Sequence, residues 1–155
     1  MEIQTVPKGS SVAEIEISYK PLVKLSSLAK IKSSQDLYHL LLETWDKSKL
    51  EFVEQFKVIL LNRNHRILGI CTISSGCGTN TIADPKMIFG VALKCNAGII
   101  VLVHNHPSGN LLPSNCDNDH TRKIKEGAKL LDILVLDHLI VTSEGYYSYA
   151  DEGAL

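Results

Sequence analysis

An excess of charge of either sign is missing from this chain: across 155 residues, 16 Lys and Arg oppose 17 Asp and Glu, a net charge of −1. A balance so near neutrality gives no global pull toward nucleic acid or an acidic membrane surface. No apolar run approaches the roughly 20 residues needed to cross a bilayer. The first residues, MEIQTVPKGSSVAEIEIS, have no apolar core of the signal-peptide kind, so secretion is not expected. Cysteine is sparse: Cys71, Cys77, Cys95 and Cys116 form no C-x-x-C pair and no dense framework. Free thiols in a reducing cytosol follow, and a cytoplasmic location is the expectation. Internal repeats and low-complexity segments are absent as well. What remains is an ordinary soluble globule, 45% hydrophobic and 21% charged, long enough to bury a proper core without staples.

The periodicity alternates between two and 3.6. Residues 1–30 read as an extension with one strand, Val12 to Tyr19, where Ile15, Ile17 and Tyr19 alternate with Glu14, Glu16 and Ser18. Residues 31–155 read as the domain proper. Ser33 to Asp36 offers capping side chains for a helix to about Trp45, with Leu37, Leu40 and Leu41 at helical spacing. Lys57–Leu61 and Arg66–Ser74, joined by Asn62-Arg63-Asn64-His65, fit a hairpin. Asp84-Pro85 starts a second helix, whose inner face is Met87, Ile88, Val91, Ala92 and Cys95. Ile99 to Val103 is a central strand covered on both faces. A third helix opens at Ser114 or Asp117, with Ile124, Ala128 and Leu131 inward and Arg122, Lys125 and Lys129 on a solvated face. Ile133–Val141 and Tyr146–Tyr149 close the chain as strands. Interleaved strands and helices imply an α/β fold, a mixed sheet flanked by helices.

One stretch carries chemistry. VLVHNHPSGNLLPSNCD contains His104-x-His106, seven residues, Ser114, two residues, Asp117. Residues two apart on a strand point the same way, so both imidazoles can meet at one point. Pro107-Ser108-Gly109 then turns the chain, and the loop brings Asp117 back as a third donor. Two neutral imidazoles and a carboxylate suit Zn²⁺, and three protein donors leave a position open, as hydrolytic sites require. A carboxylate outside the metal is needed to move protons. Glu43, Glu51, Glu54 and Glu126 are candidates, and Glu54 is favoured because it abuts a probable central strand. Ser114 can donate to a developing oxyanion. Ser114-x-x-Asp117 also reads as a helix capping box, and the two roles are compatible.

The stretch resembles the signature of the JAB/MPN metalloenzymes, the JAMM motif, and within them the bacterial RadC family. The resemblance runs from about Ile31 to Gly153 and includes HNHPSGNLLPSNCDNDHTRKIKEGAKLLDILVLDHLIVT and Glu54-Gln-Phe56-Lys-Val58-Ile-Leu-Leu61. It implies a three-layer α-β-α, cytidine-deaminase-like fold with a mixed sheet. It also implies Zn²⁺ on His104, His106 and Asp117, Glu54 as general acid/base, and Ser114 as oxyanion helper. Asp137-His138 recurs in the family pattern. That pair reads either as orienting a ligand or lining the cleft, or as a satisfied polar pair at a strand end; Ser108 is a further candidate for supporting the ligands. Lys86 stands where RadC sequences often have Arg. Longer RadC proteins carry an N-terminal region resembling a helix-hairpin-helix DNA-binding unit. The roughly thirty residues ahead of the match here are too few for a separate stable domain.

The expected function is therefore zinc-dependent hydrolysis of a peptide or isopeptide amide bond, with a peptide or protein as substrate and no membrane partner. Eukaryotic relatives of the class cut isopeptide bonds to ubiquitin-like proteins. The rival expectation is a DNA repair or recombination role, against which the charge balance counts. The strand at Val12–Tyr19 could pair with a neighbour's sheet edge, and oligomeric state stays open.

Overall fold

A run of five aliphatic residues cannot be placed at a half-solvated sheet surface without loss, since each fully buried Val, Leu or Ile contributes about 1.5–3 kcal/mol. In the computed structural model, which describes residues 24–76 and 83–155, Ile99–Val103 accordingly lies mid-sheet. The strands are β1 (Gln55–Leu61), β2 (Ile67–Ser75), β3 (Ile99–Asn105), β4 (Leu134–Val141) and β5 (Tyr146–Ser148), in spatial order β2-β1-β3-β4-β5. β3 and β4 are parallel and the remaining neighbours antiparallel, so the sheet is mixed.

The helices form two outer layers. Helix α1 (Ser34–Thr44) and the short α2 (Lys47–Leu50) lie on one face; α3 (Pro85–Lys94) and α4 (Asn115–Leu130) lie on the other. Every residue of β3 is buried because it serves both faces. Ile100 and Leu102 pack with Ile88, Ala92, Ile124 and Ala128. Ile99, Val101 and Val103 pack with Leu37, Leu41 and Trp45. This is the three-layer α-β-α arrangement expected from the sequence.

Local signals set the element ends. The Ser33 hydroxyl accepts from Asp36 N at 3.1 Å and caps α1. The Asp84 carboxylate accepts from Lys86 N at 2.9 Å and caps α3, whose first residue is Pro85. In the β1–β2 turn, Asn62 Oδ1 accepts from Asn64 N at 2.9 Å and Arg66 N at 3.0 Å, while His65 takes φ 57°. Two inward assignments fail: Met87 is 53% and Leu131 39% exposed. Ile88 and Ala92 already fill the α3 contact with the sheet, and Leu131 is the residue on which α4 unwinds.

The strand expected over Val12–Tyr19 lies outside the described residues. The segment just after it reaches the sheet: Lys30 bridges Arg66, and Arg66 Nη1 donates to Leu28 O at 2.6 Å. No helix among the described residues is long and apolar enough to cross a membrane.

Candidate metal centre

His104 lies near the C-terminal end of β3 and His106 directly after it, its N–H still donating to Val141 O, so the two share a side while Asn105 points to the other. Phe56 on β1 pairs with His104 in register, and its ring stacks on the imidazole, with centroids 6.0 Å apart and planes 5° apart. His104 is buried, and His106 is the more open of the two. Asp117 comes from the first turn of α4. There the Ser114 hydroxyl accepts from Asp117 N at 3.2 Å, and the Asp117 carboxylate accepts from Ser114 N at 2.7 Å, a complete capping box. The box sets the helix start and also holds the carboxylate toward the strand tip.

Three donor groups converge. His104 Nε2 lies 3.0 Å from His106 Nε2 and 3.3 Å from Asp117 Oδ1, and His106 Nε2 lies 3.8 Å from Asp117 Oδ2. A tetrahedral zinc ion with bonds of about 2.0–2.2 Å requires donors about 3.3–3.6 Å apart; the His104–Asp117 Oδ1 spacing matches that edge, the imidazole pair is closer, and His106 meets the other carboxylate oxygen, Oδ2, at 3.8 Å. Among the described residues this is the single His/Cys/Asp/Glu group of metal-binding spacing.

The surroundings are built to the same end. His106 Nδ1 is 2.6 Å from Asn110 O. The turn returns the chain through Gly109 at φ 79°, where its N–H donates to His106 O at 3.0 Å. His104 Nδ1 is 2.9 Å from His138 Nε2, deep in the protein. Burial first, and then the neighbouring His104 charge, pushes the His138 imidazole well below its ordinary pKa. Burial pushes the Asp117 carboxyl up, but the adjacent His104 ring and the bonds from Ser114 outweigh it and hold the group well below the usual carboxylate range. The Ser114 hydroxyl donates to Asp117 Oδ2 at 2.6 Å. Ser108 is exposed at the rim.

Glu54 stands just ahead of β1 and lines one cavity with Phe52, Val53, Gly76, His106, Pro107 and Ser108. What places it there is Asn105, whose amide Nδ2 donates to Leu50 O at 2.7 Å and Val53 O at 3.0 Å, while its Oδ1 accepts from Gln55 N at 2.7 Å. The middle residue of His-Asn-His thus clamps the segment that carries the candidate general base. Asp137 faces the α1 side instead. Its Oδ1 accepts from His138 N at 2.7 Å and Ala150 N at 2.9 Å, and its Oδ2 from the Ser148 hydroxyl at 2.6 Å. It contacts His138 through the backbone and touches none of the three donors, whereas the His138 ring touches His104 directly.

Asn105, Asn110 and Thr121 were not singled out from the sequence. A signal for Thr121 existed, since it lies one helical turn after Asp117 on the same face. For Asn105 the signal was strand alternation, which sends it away from its histidine neighbours.

Residues 31–154 match the family model of the RadC-like JAB domain. A UPF0758 protein of Flavobacterium johnsoniae is 36% identical over 145 residues, covering 93% of this chain and 62% of the relative. A UPF0758 protein of Desulfitobacterium hafniense is 36% identical over 141 residues, 90% of this chain and 58% of the relative. One from Streptococcus sanguinis is 45% identical over 94 residues, 61% of this chain and 41% of the relative. The chain thus spans at most 62% of the length of these curated relatives.

Proposed function

Since the chain belongs to the RadC-like JAB domain family, we propose that it is a zinc-dependent hydrolase of JAMM type that cleaves a peptide or isopeptide amide bond. The observation that carries this reading is the convergence of His104 Nε2, His106 Nε2 and the Asp117 carboxylate within 3.0–3.8 Å of one another, beside a cavity that Glu54 lines. Two imidazoles and one carboxylate are a borderline donor set that suits zinc, and three donors are what a catalytic site supplies. Bound there, zinc would supply Lewis acidity, making water a competent nucleophile near neutral pH and polarising the carbonyl.

The chain's own groups do the rest. Glu54 takes the proton of the attacking water and delivers it to the leaving amine nitrogen. Ser114 donates its hydroxyl to the carbonyl oxygen as that oxygen becomes negative. To do so the hydroxyl rotates away from Asp117, which keeps the Ser114 backbone N–H and so stays oriented. A second cavity, lined by Glu51, Thr142, Ser143 and Glu144, shares His106-Pro107-Ser108 with the first. The free thiols of Cys71, Cys95 and Cys116 fit a reducing, cytoplasmic setting.

Zinc content and turnover on mixed peptide substrates test the proposal. Glu54→Gln should retain zinc and lose about 10²–10⁴-fold in turnover. Equal turnover would remove Glu54 from the mechanism. Salt-dependent DNA affinity with a log–log slope of several units would favour the nucleic-acid role instead.

A further inference from the structure

A chain of three short hydrogen bonds runs behind the candidate metal centre. Its polarity is decided at the far end. Thr121 Oγ1 is 2.6 Å from Asp117 O, and a carbonyl oxygen can only accept, so the Thr121 hydroxyl hydrogen lies on that bond. The hydroxyl has one hydrogen and has used it. At its 2.6 Å contact with His138 Nδ1 it must therefore accept, and His138 Nδ1 carries a hydrogen. The His138 ring is fully buried, with Phe56, Tyr149 and His104 as its ring neighbours and no carboxylate bonded to it. As a neutral ring with Nδ1 protonated it presents a bare Nε2, and that Nε2 sits 2.9 Å from His104 Nδ1. His104 must then donate from Nδ1 and leave its own Nε2 bare.

We infer that Thr121 and His138 are positioning residues: anchored on the main-chain carbonyl of Asp117, they hold His104 in the Nδ1–H tautomer whose Nε2 is free to coordinate a metal ion. His106 reaches the same tautomer by a shorter route, through Nδ1 to Asn110 O at 2.6 Å. Two bare nitrogens 3.0 Å apart, with a carboxylate oxygen 3.3 Å away, repel one another unless a cation lies between them, and that is the donor set of a metal site. His104 needs the longer route because neighbouring strands take up the main-chain carbonyls along β3. The relay also ties β3, β4 and α4 together, so one of the three candidate metal donors, Asp117, sets the tautomer of another. This role rests on the metal-binding reading above, but not on turnover.

Two measurements test it. Long-range ¹H–¹⁵N correlation spectra of the metal-free protein should show His104 as the Nδ1–H tautomer in the wild type, and a shift toward Nε2–H in Thr121→Val. Competition with a chromophoric chelator should show zinc bound about 10–100-fold more weakly by Thr121→Val, the range for loss of such outer partners, with Thr121→Ser restoring affinity. His138→Gln, which keeps an acceptor for His104, should retain more affinity than His138→Leu. A wild-type His104 in the Nε2–H form overturns the inference whether or not any variant folds. So does Thr121→Val with an unchanged tautomer and zinc affinity within twofold of wild type. Absence of zinc binding in every form, with the tautomers as expected, would instead sink the hydrolase reading and leave the relay standing.

Discussion

Single residues in this molecule are stabilised and destabilised by how completely their polar atoms are matched. Asn105 makes three hydrogen bonds to main-chain atoms from the end of α2 to the start of β1, from a fully buried position. Asn105→Ala orphans Leu50 O, Val53 O and Gln55 N, and each buried polar group left unmatched costs about 1–3 kcal/mol. Urea unfolding should show a loss of at least about 2 kcal/mol, and turnover should fall as well because Glu54 loses its support. Asp137 behaves differently. Burial raises its carboxyl above the usual range, partly offset by bonds from Ser148, Ala150 and His138. A group whose folded pKa is raised contributes its stability below the unfolded value, 3.8 here, and loses it as pH rises through the folded value. Asp137→Asn keeps the acceptor for both N–H groups and removes the ionisation. Its stability relative to the wild type should therefore be greater at pH 7 than at pH 4, and urea melts at the two values would show it. A constant difference would mean that Asp137 titrates normally.

Elements are governed by their ends. Helix α4 begins in a full capping box and finishes poorly. Asp132, just past its last turn, takes φ 54°, a region that penalises a Cβ, and places a negative charge at the negative pole of the helix. Asp132→Gly relieves both and should raise stability by about 0.5–1.5 kcal/mol. At the other end, Ser114→Ala should cost about 1 kcal/mol as a lost cap. It should also weaken zinc binding, because Asp117 Oδ2 loses the hydroxyl 2.6 Å away that helps aim it. Cap and site share one residue pair here, so stability and affinity should fall together in that variant, while Asp132→Gly changes stability alone. These ends were legible in the sequence: Ser33, Asp84-Pro85 and Ser114 are local signals that act within one turn. Faces were less so. Met87 and Leu131 fall on apolar stripes yet stay exposed, because a stripe says which side of a helix is apolar and not how far the neighbouring layer extends to cover it.

At the scale of the whole molecule, the proposed zinc site would link metal binding to folding. A ligand that binds only the folded state at about 100 times its Kd adds about 2.7 kcal/mol, which for a domain of this size is about 5–10 °C in Tm. Zinc should raise Tm by that amount, chelation should reverse it, and Asp117→Ala should abolish it; an unchanged Tm on saturation would contradict a built site. The layers that make such a site are visible in the chain because apolar periodicity is local: five aliphatic residues in succession demand cover on both faces, and His-x-His at their end places two rings on one side. The sequence alone therefore determined the layered α/β architecture, the hairpin, the helix starts and the candidate donors. Which groups meet across the chain was decided only by tertiary structure. The clamp of Asn105 on residues 50–55, the relay from His104 through His138 and Thr121, and the turning of Asp137 to the opposite face all join segments far apart in sequence. The physical reason is that burial makes hydrogen-bond partnership obligatory, and the partner is whatever group the packed layers bring within about 3 Å.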